Sequence, residues 1–500
     1  MTITFSLPTE QVPTDAVHHA QAAAGNAAVA DEASGVLRDA LSGTAPVDRI
    51  LLKASAGAGK SYLLRRLVAD ALEHPRCARV AVVAFMNRQI FPLAVELGKE
   101  LPGGRVCLFV SSDRWGDVPD EAHQVCTVVT STSSIPTNCD VVVATSHKLG
   151  AINELNRQKN HLGAGYNGSA PYDVLFVDEA WQLAHHLFDK VSKAAPVTVG
   201  VGDVGQLPPL EIGTNPWRGD PGFNPFRAWP TEFDGDERTT AFELPAVWRP
   251  AVGHLPLWRA FYPEWRELNC VAGPDDRGMT APGLAGVSRE VWAQVSSGVP
   301  TLLEVDGLPA PETADVDLPL LEVVGSLLDE LLAAGFSLRQ ARYDSAGTPT
   351  GETVEMRPGG SHADPLVAVL ATRNQAVDDA ADIVERLRER HGLTERDLLA
   401  STVDSWQGQT NGLTVVVHPL SGATQLDEFN SAFGRLAVAC TRATHGLLMV
   451  TRPGLETLLT EAPARPGTPL GEPGNRQLPR QTHERILATF ARGTLTHVPA

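Results

Sequence analysis

Positive charge is scarce in this chain of 500 residues: 41 Lys and Arg stand against 59 Asp and Glu, and the formal net charge is −18. Such an acidic balance argues against a protein whose whole surface coats nucleic acid or an anionic membrane. It leaves room for a narrow cationic cleft on an otherwise acidic body. Hydrophobic residues make up 43% and charged residues 20%, which is typical of a folded chain of roughly two to four domains.

Cysteine is sparse, and its spacing signals no site. The chain has 6 cysteines, and no two of them show the C-x-x-C spacing of a zinc ribbon or a redox dithiol. We therefore expect buried, unreactive thiols in a reducing compartment.

Long apolar runs and a leader pattern are also missing. No stretch reaches the roughly 18 uninterrupted apolar residues of a membrane-spanning helix. The first residues lack a basic segment followed by an apolar core, so we expect no secretory signal. These observations favour a cytoplasmic protein with no membrane partner.

Short apolar runs without polar alternation recur from residue 49 onward, each followed by a turn or a helical pattern. This texture is typical of parallel sheets that are buried on both faces and connected by helices. In the first half the runs are 50–53, 80–85, 106–110, 140–145, 174–177 and 197–201, and in the second half 366–372, 413–417 and 447–450. The fold class predicted is α/β, with two domains built on parallel sheets.

Changes of composition suggest where these domains begin and end. The predicted units are a helical and polar extension over 1–48, a first domain over 49–213, a linker over 214–240, a second domain over 241–461, and a Pro/Gly-rich tail over 462–500 that we expect to be extended or mobile. Within the second domain, patchy periodicity over 273–362 predicts a small insertion that contains one amphipathic helix at 319–334.

The strongest local signal is an apolar strand that runs into a loop of small residues, after which Gly-Lys-Ser opens a helix. Backbone N–H groups of such a loop converge on phosphate oxygens, and the helix N-terminus favours negative charge. Lys60 is placed to reach the β- and γ-phosphates and Ser61 to bind Mg²⁺. Ala54 stands where this motif usually has its first Gly. The predicted nucleotide-binding residues are Ala56, Gly57, Ala58, Gly59, Lys60 and Ser61.

A pair of acids follows the buried strand at 174–177. Asp178 suits a partner of the Mg²⁺ ion, and Glu179 suits a base that orients or deprotonates the attacking water. The expected cofactors are therefore ATP and Mg²⁺.

With these residues in place, the chain resembles the superfamily 1 helicases over about residues 49–453. Asp178-Glu179-Ala180 is similar to helicase motif II, and the segment 202–209 (GDVGQLPP) is similar to motif III. The resemblance implies two tandem RecA-like P-loop NTPase domains. It also implies that Gln206 senses the γ-phosphate and couples it to the nucleic-acid strand.

Three later segments continue the order of the family's motifs. The segment 244–250 (LPAVWRP) is similar to motif IV, which implies that Trp248 stacks near the adenine and that Arg249, from the second domain, reaches the γ-phosphate. Residues 403–409 (VDSWQGQ) are similar to motif V, although Thr410 replaces its usual Glu. Residues 434–443 are similar to motif VI, which implies an arginine finger at Arg442.

Contacts to a single strand are expected where strands end at the tops of both domains. Hydroxyl, amide and cationic groups track phosphates, and aromatic rings stack on bases. The candidate nucleic-acid residues are Phe85, Asn87, Thr145, Thr372, Arg373, Ser405 and Trp406.

The resemblance implies a helicase or translocase that couples ATP hydrolysis to movement along single-stranded nucleic acid, with DNA favoured over RNA. The form of motifs III and VI favours the 5′→3′ branch, whereas Phe85-Met86-Asn87 is closer to the repair helicases. Two alternatives remain open at this stage. One is a nucleic-acid-stimulated ATPase that does not unwind and serves as motor or sensor of a repair or phage-defence complex, with a protein partner. The other is a P-loop switch ATPase that never binds nucleic acid.

Overall fold

The structure, a computed structural model, describes residues 3–209, 224–263, 265, 268–313, 316–427, 430–461 and 479–497. The strands of the first sheet are β1 (Arg49–Lys53), β2 (Val80–Ala84), β3 (Val106–Phe109), β4 (Thr127–Val129), β5 (Val141–Thr145), β6 (Val174–Asp178), β7 (Val197–Gly202) and β8 (Thr239–Glu243). The helices along this part of the chain are α1 (His19–Ser42), α2 (Lys60–Glu73), α3 (Asn87–Glu100), α4 (Asp120–Val125), α5 (Ser146–Leu149), α6 (Glu154–Leu162) and α7 (His185–Val191).

The remaining elements belong to the second half of the chain. Its strands are β9 (Ala246–Val247), β10 (Asn269–Cys270), β11 (Arg277–Thr280), β12 (Thr301–Asp306), β13 (Ser337–Tyr343), β14 (Pro349–Met356), β15 (Val367–Ala371), β16 (Leu398–Thr402), β17 (Asn411–Val417), β18 (Ala443–Thr451) and β19 (Ala491–Thr496). Its helices are α8 (Leu255–Phe261), α9 (Gly286–Ser296), α10 (Leu318–Ala334), α11 (Asn374–His391), α12 (Phe433–Cys440), α13 (Leu455–Glu461) and α14 (Pro479–Leu487).

Two large parallel sheets organise the molecule. The first has the order β4-β3-β5-β2-β6-β7-β1-β8 and the second β16-β15-β17-β18-β12-β19, and the neighbouring strands within each are paired in parallel. Every residue of β2, β6 and β15 is buried, as expected for strands covered on both faces. The predicted α/β class with two RecA-like domains is confirmed.

The N-terminal segment packs on both domains. Helix α1 lies within the predicted helical extension and buries Ala33, Leu37 and Leu41 in the core that α2 also lines. Before α1, the Ser6 N–H donates to the Arg492 carbonyl of β19 at 2.8 Å. The extension predicted over 1–48 is thus built into the cores of the two domains.

The sheets extend beyond the predicted domain limits. Strand β8 pairs with β1, so the first sheet reaches into residues assigned above to the linker and to the second domain. Residues 210–223 of that linker lie outside the described residues. The structure also differs over 273–362, because β12 from this segment lies inside the second sheet between β18 and β19. Only β11, β13 and β14 form a separate three-stranded antiparallel sheet.

The C-terminal segment differs from the expectation in the same way. Residues 479–497 form α14 and β19, and β19 pairs in parallel with β12 along six residue pairs. Residues 462–478 lie outside the described residues. Composition was misleading here, because a strand of six residues after a Pro/Gly-rich stretch leaves little pattern to detect. Within the described ranges, no helix has the length and apolar character needed to cross a bilayer.

Candidate nucleotide and nucleic-acid site

Three neighbouring strands of the first sheet place the candidate nucleotide site. Strands β6, β7 and β1 are adjacent in the sheet and parallel. The acidic pair after β6, Asp203 after β7 and the small-residue loop after β1 therefore meet at one edge, the carboxyl edge where ligands of open α/β sheets bind.

The loop after β1 has the backbone that phosphate binding requires. Gly57 and Gly59 have φ values of 75° and 96°, which favour glycine because a Cβ is strained there. Lys60 then begins α2, and Ser61 has an exposed side chain. Gly57 and Gly59 are partly exposed, and the loop that contains them leads directly into the helix N-terminus.

Acidic side chains surround the Lys60 ammonium. Lys60 Nζ lies 3.5 Å from Glu179 Oε1 and 3.7 Å from Asp203 Oδ2. Glu179 adopts a left-handed backbone conformation, with φ at 49°, and such strain persists at functional sites when the surroundings impose it. Burial, followed by the charge of Glu179, raises the pKa of Asp178 to about 7.

Mg²⁺ and nucleotide phosphates fit these residues. The raised pKa of the buried Asp178 reflects the cost of its charge, and a cation at this position relieves that cost. Ser61 and Asp178 supply the hard oxygen donors that Mg²⁺ prefers. The glycine-rich loop at the start of α2 fits phosphates, since its positive φ angles leave a backbone free of side chains at a helix N-terminus.

A buried tyrosine, missed in the sequence, connects the phosphate loop to motif III. The Ala56 N–H donates to Tyr262 Oη at 3.1 Å, and Tyr262 Oη donates to Asp203 at 2.9 Å. Asp203 also accepts from Gln206 Nε2. The Trp258 indole N–H donates to the Ala56 carbonyl at 2.8 Å. Tyr262 and Trp258 belong to an aromatic-rich stretch of the sequence. The spacing of its residues does not show which rings hydrogen-bond to the phosphate loop and which only pack in the core.

The segment with Trp248 and Arg249 lies against the phosphate loop. The Trp248 N–H donates to the Gly57 carbonyl at 2.8 Å, and a Cβ added to Gly57 would lie 2.3 Å from Arg249 Cβ. A Cβ at Gly59 would lie 3.9 Å from Trp248 Cδ1. Because this segment follows β8 of the first sheet, Arg249 is attached to the first domain and not, as predicted, to the second.

A half-buried guanidinium group, that of Arg249, and a buried one, that of Arg442, lie at the boundary between the domains. Arg249 Nη1 donates to the Thr441 carbonyl at 3.0 Å, and Arg442 is 1% exposed. Burial, followed by the charge of Arg442, lowers the pKa of Arg249, and burial lowers the pKa of Arg442. A bound anion between the two guanidinium groups would offset the free-energy cost of burying their charges, as expected beside a phosphate site.

Arg442 itself hydrogen-bonds within the second domain. Its Nη2 donates to Thr441 Oγ1 at 2.8 Å and its Nε to the Val438 carbonyl at 3.2 Å. The predicted arginine finger thus lies at the domain interface, and these two hydrogen bonds are made to residues of its own domain, the second.

Motif III contacts the second domain at two points. Gln407 Nε2 donates to Gln206 Oε1 at 3.5 Å. A Cβ added to Gly434 at the start of α12 would lie 2.6 Å from the Gln206 carbonyl. Gln206 therefore touches Asp203 of the nucleotide site and the segments similar to motifs V and VI, as a coupling residue requires.

Candidate nucleic-acid residues of the first domain gather after β2 and β5, which are adjacent strands. Phe85 lies beside His147, with ring centroids 5.3 Å apart, and Asn87 begins α3. The Thr145 hydroxyl caps α5 by accepting from the Lys148 N–H, so it also has a local structural role.

In the second domain these residues fall into two groups. Thr372 and Arg373 follow β15 and line a cavity of about 200 Å³ together with His418 and Thr424. Ser405 is exposed in the segment after β16. Trp406 packs partly on the core and donates its indole N–H to Asn411 Oδ1 at 2.9 Å.

Arg88, which was not among the predicted residues, joins the candidate residues of the first domain to those of the second. Its Nη1 donates to the Ser405 carbonyl at 3.0 Å and its Nη2 to the Asp404 carbonyl at 3.1 Å. Asp404 in turn accepts from Arg435 Nε at 3.0 Å. The candidate strand-binding loops of the two domains are thereby joined.

A glycine-rich loop at a helix start lies beside an acidic pair on a neighbouring parallel strand, and a second parallel sheet contacts the site. These features define a P-loop protein with tandem RecA-like domains. Comparison with families agrees for the first domain, since residues 38–211 match the family described as AAA domain. The predicted P-loop fold of the first domain is therefore confirmed. No curated protein matches the chain.

Solved structures add limited information. A helicase of PRRSV is 14% identical, with a TM-score of 0.36, and the alignment covers 85% of this chain and 58% of that one. A complex of arterivirus nonstructural protein 10, a helicase, with DNA is also 14% identical, with a TM-score of 0.38 and coverage of 82% and 63%. The chain spans less than two thirds of the length of both. Likeness at this level carries no weight for function.

Proposed function

We propose that this protein is an ATP-dependent motor of the superfamily 1 helicase type that moves along single-stranded nucleic acid, with DNA preferred over RNA. The observation that carries the proposal is the shared carboxyl edge of the first sheet. Adjacent strands there present Lys60, Glu179 and Asp203 for a nucleotide, and the next strands present Phe85 and His147 for a nucleic-acid strand.

The chemistry assigned to these residues follows from their positions. The glycine cradle and Lys60 bind and orient the phosphates, and Glu179 accepts the proton of the attacking water. Mg²⁺, held by Ser61 and Asp178, neutralises phosphate charge when bound. Gln206, in contact with both domains, transmits the state of the site to the second sheet, and Arg249 stabilises charge that develops on the phosphates. Trp248 stacks on the base.

The test is the rate of ATP hydrolysis against a panel of single-stranded DNA, single-stranded RNA and forked duplexes with either tail. The wild type should be stimulated, most strongly by DNA. Lys60→Ala should reduce turnover by about 10²–10³-fold, because it removes a charge that stabilises the transition state. Lys99→Ala is the matched control, since Lys99 lies on the surface of the same domain and pairs with Glu96 and Glu121.

The panel separates the alternatives. Stimulation by a single strand without separation of a fork would favour a translocase, or the motor or sensor subunit of a repair or phage-defence complex. Hydrolysis that no nucleic acid changes would contradict the proposal and favour a switch ATPase. Turnover retained by Lys60→Ala would contradict the assignment of the nucleotide site.

A further inference from the structure

A continuous chain of hydrogen bonds leads from the candidate strand-binding loop to Glu179. The Met86 N–H donates to Gln89 Oε1 at 2.9 Å, and Gln89 Nε2 donates to Gln182 Oε1 at 2.9 Å. Gln182 Nε2 then donates to Glu179 Oε2 at 3.1 Å. All three bonds have the same direction and end on a carboxylate, an arrangement in which each bond polarises the next.

The topology makes this chain short. Strands β2 and β6 are neighbours, with Val83 opposite Val177, so the loops that follow them lie side by side. Gln182, in the helical turn after motif II, is 5% exposed. Its amide oxygen is used by Gln89 and its amide nitrogen by Glu179, and a buried amide that loses a partner pays a desolvation cost. A shift of Gln89 is therefore felt at Glu179.

The loop at the other end of the chain is placed to sense a bound strand. Phe85 and Asn87 are candidate contacts of the nucleic acid, and Arg88 is hydrogen-bonded to the Ser405 and Asp404 carbonyls of the second domain. Met86, where the chain of bonds begins, lies between them. A bound strand or a movement of the second domain would therefore act on residues 85–88.

We propose that Gln89 and Gln182 are positioning residues that couple a nucleic-acid strand bound at residues 85–88 to the orientation of Glu179. They touch neither the phosphate loop nor the strand; they set the direction of the carboxylate that receives the proton of the attacking water. The inference rests on the proposed function and deepens it, because it identifies how hydrolysis becomes dependent on nucleic acid.

A simpler role for Gln89 is to cap α3, since its oxygen accepts from the N–H of Met86, the N-cap residue of that helix. Gln89→Glu separates the two roles. The carboxylate still accepts from Met86 and caps the helix, but it has no N–H to donate to Gln182. If Gln182 rotates to donate to the new carboxylate, the donor to Glu179 is lost.

The experiment measures the ratio of the ATP hydrolysis rate with saturating single-stranded DNA to the rate without it, for the wild type, Gln89→Ala, Gln89→Glu, Gln182→Ala and the double alanine variant. Each single variant should lower this ratio by about tenfold, the effect of one lost hydrogen bond of about 1.4 kcal/mol. The KM for ATP and the affinity for the DNA should stay within about twofold of the wild type, since neither glutamine is assigned a contact with the phosphates or with the DNA.

The double variant provides a second readout that a purely structural role would not move. In a relay, loss of either amide breaks the same path, so Gln89→Ala together with Gln182→Ala should reduce the ratio no further than one of them does. Gln375→Ala is the control, because Gln375 is an exposed glutamine in the first turn of α11.

Each outcome has a distinct meaning. A stimulated wild type with a Gln89→Glu variant that is stimulated equally would overturn the relay and leave the proposed function intact. Additive losses in the double variant would also overturn it. A wild type that DNA does not stimulate would contradict the proposed function and the relay together.

Discussion

At the scale of single residues, backbone conformation accounts for much of the candidate site. Gly57 and Gly59 have left-handed backbone conformations. Glu179 has one too, although its side chain makes this conformation less favourable than it is for glycine. Gly57 also lets the chain that bears Arg249 approach the phosphate loop, because a Cβ would lie 2.3 Å from Arg249 Cβ. The close approach and the positive φ are separate requirements, and they can be tested separately.

Gly57→Ala is expected to weaken binding of a non-hydrolysable ATP analogue by well over tenfold, because the methyl group displaces Arg249 as well as straining the backbone. Gly103→Ala introduces the same kind of strain, with φ at 88°, where nothing lies within 4 Å. That control should cost about 1–2 kcal/mol of folding stability and leave analogue affinity unchanged. Titration by calorimetry and denaturant unfolding give both quantities. Equal affinities for the two variants would contradict the role of the close approach.

At the scale of elements, the termini complete the second domain. Strand β19 extends the second sheet beyond β12. The Ser6 N–H donates to the Arg492 carbonyl of β19 at 2.8 Å, and the Glu10 N–H donates to the Ala488 carbonyl, just before that strand, at 3.0 Å. Phe5 packs against the core of this domain and against Gly493, where a Cβ would lie 2.6 Å from its ring. The N-terminal segment thus holds an edge strand before α1 joins the first domain.

Phe5→Ala is expected to lower the free energy of unfolding by about 1–3 kcal/mol, less than for a fully buried Phe because the side chain is half-buried. The matched control is Leu7→Ala two residues later, whose side chain is 73% exposed, and which should change stability by less than about 0.5 kcal/mol. Urea unfolding measures both. Indistinguishable variants would show that the segment contributes nothing to the second domain.

At the scale of the whole molecule, the acidic balance affects the salt dependence of nucleic-acid binding, and the buried histidines affect the pH dependence of stability. The net charge of −18 leaves nucleic-acid binding to a limited set of groups, so salt should act through those phosphate contacts. His254, by contrast, is 0% exposed, and among the described residues neither ring nitrogen has a hydrogen-bond partner. Burial, together with the charge of Arg277, lowers its pKa from 6.5 to about 4.

This lowered pKa predicts a loss of stability in acid. The unfolded chain takes up a proton at His254 below pH 6.5, whereas the folded chain does so only near pH 4. The unfolded state therefore binds more protons in that window, and the free energy of unfolding falls as the pH drops from 6.5 toward 4. The full contribution is about 3 kcal/mol. His254→Phe, which keeps a ring against Trp258, should reduce this dependence in unfolding measurements from pH 7 to pH 5, because burial lowers the pKa of His418, His445 and His483 as well. His123→Phe, at an exposed position, should leave it unchanged. An unchanged slope in His254→Phe would contradict the assignment.

Much of the site could be predicted because its signals are local. A strand that runs into small residues and then Gly-Lys-Ser needs no tertiary information, and the acids after β6 are recognised by their position behind a buried strand. The limits of the domains were predicted less well. Strands β8, β12 and β19 are short and lie among Pro- and Gly-rich stretches, so their membership in a sheet depends on partners far away in the chain.

The amino-acid sequence by itself determined the parallel α/β class, the phosphate loop and the order of the motifs, because each of these depends on neighbours within about one strand–loop–helix unit. Only the tertiary structure decided that Tyr262 joins Ala56 to Asp203, that Gln89 and Gln182 connect residues 85–88 to Glu179, and that Arg249 belongs beside the first sheet. These contacts pair residues from separate elements by direction and distance. Such pairing leaves no periodicity in the chain, and so it becomes visible only when the two sheets are in place.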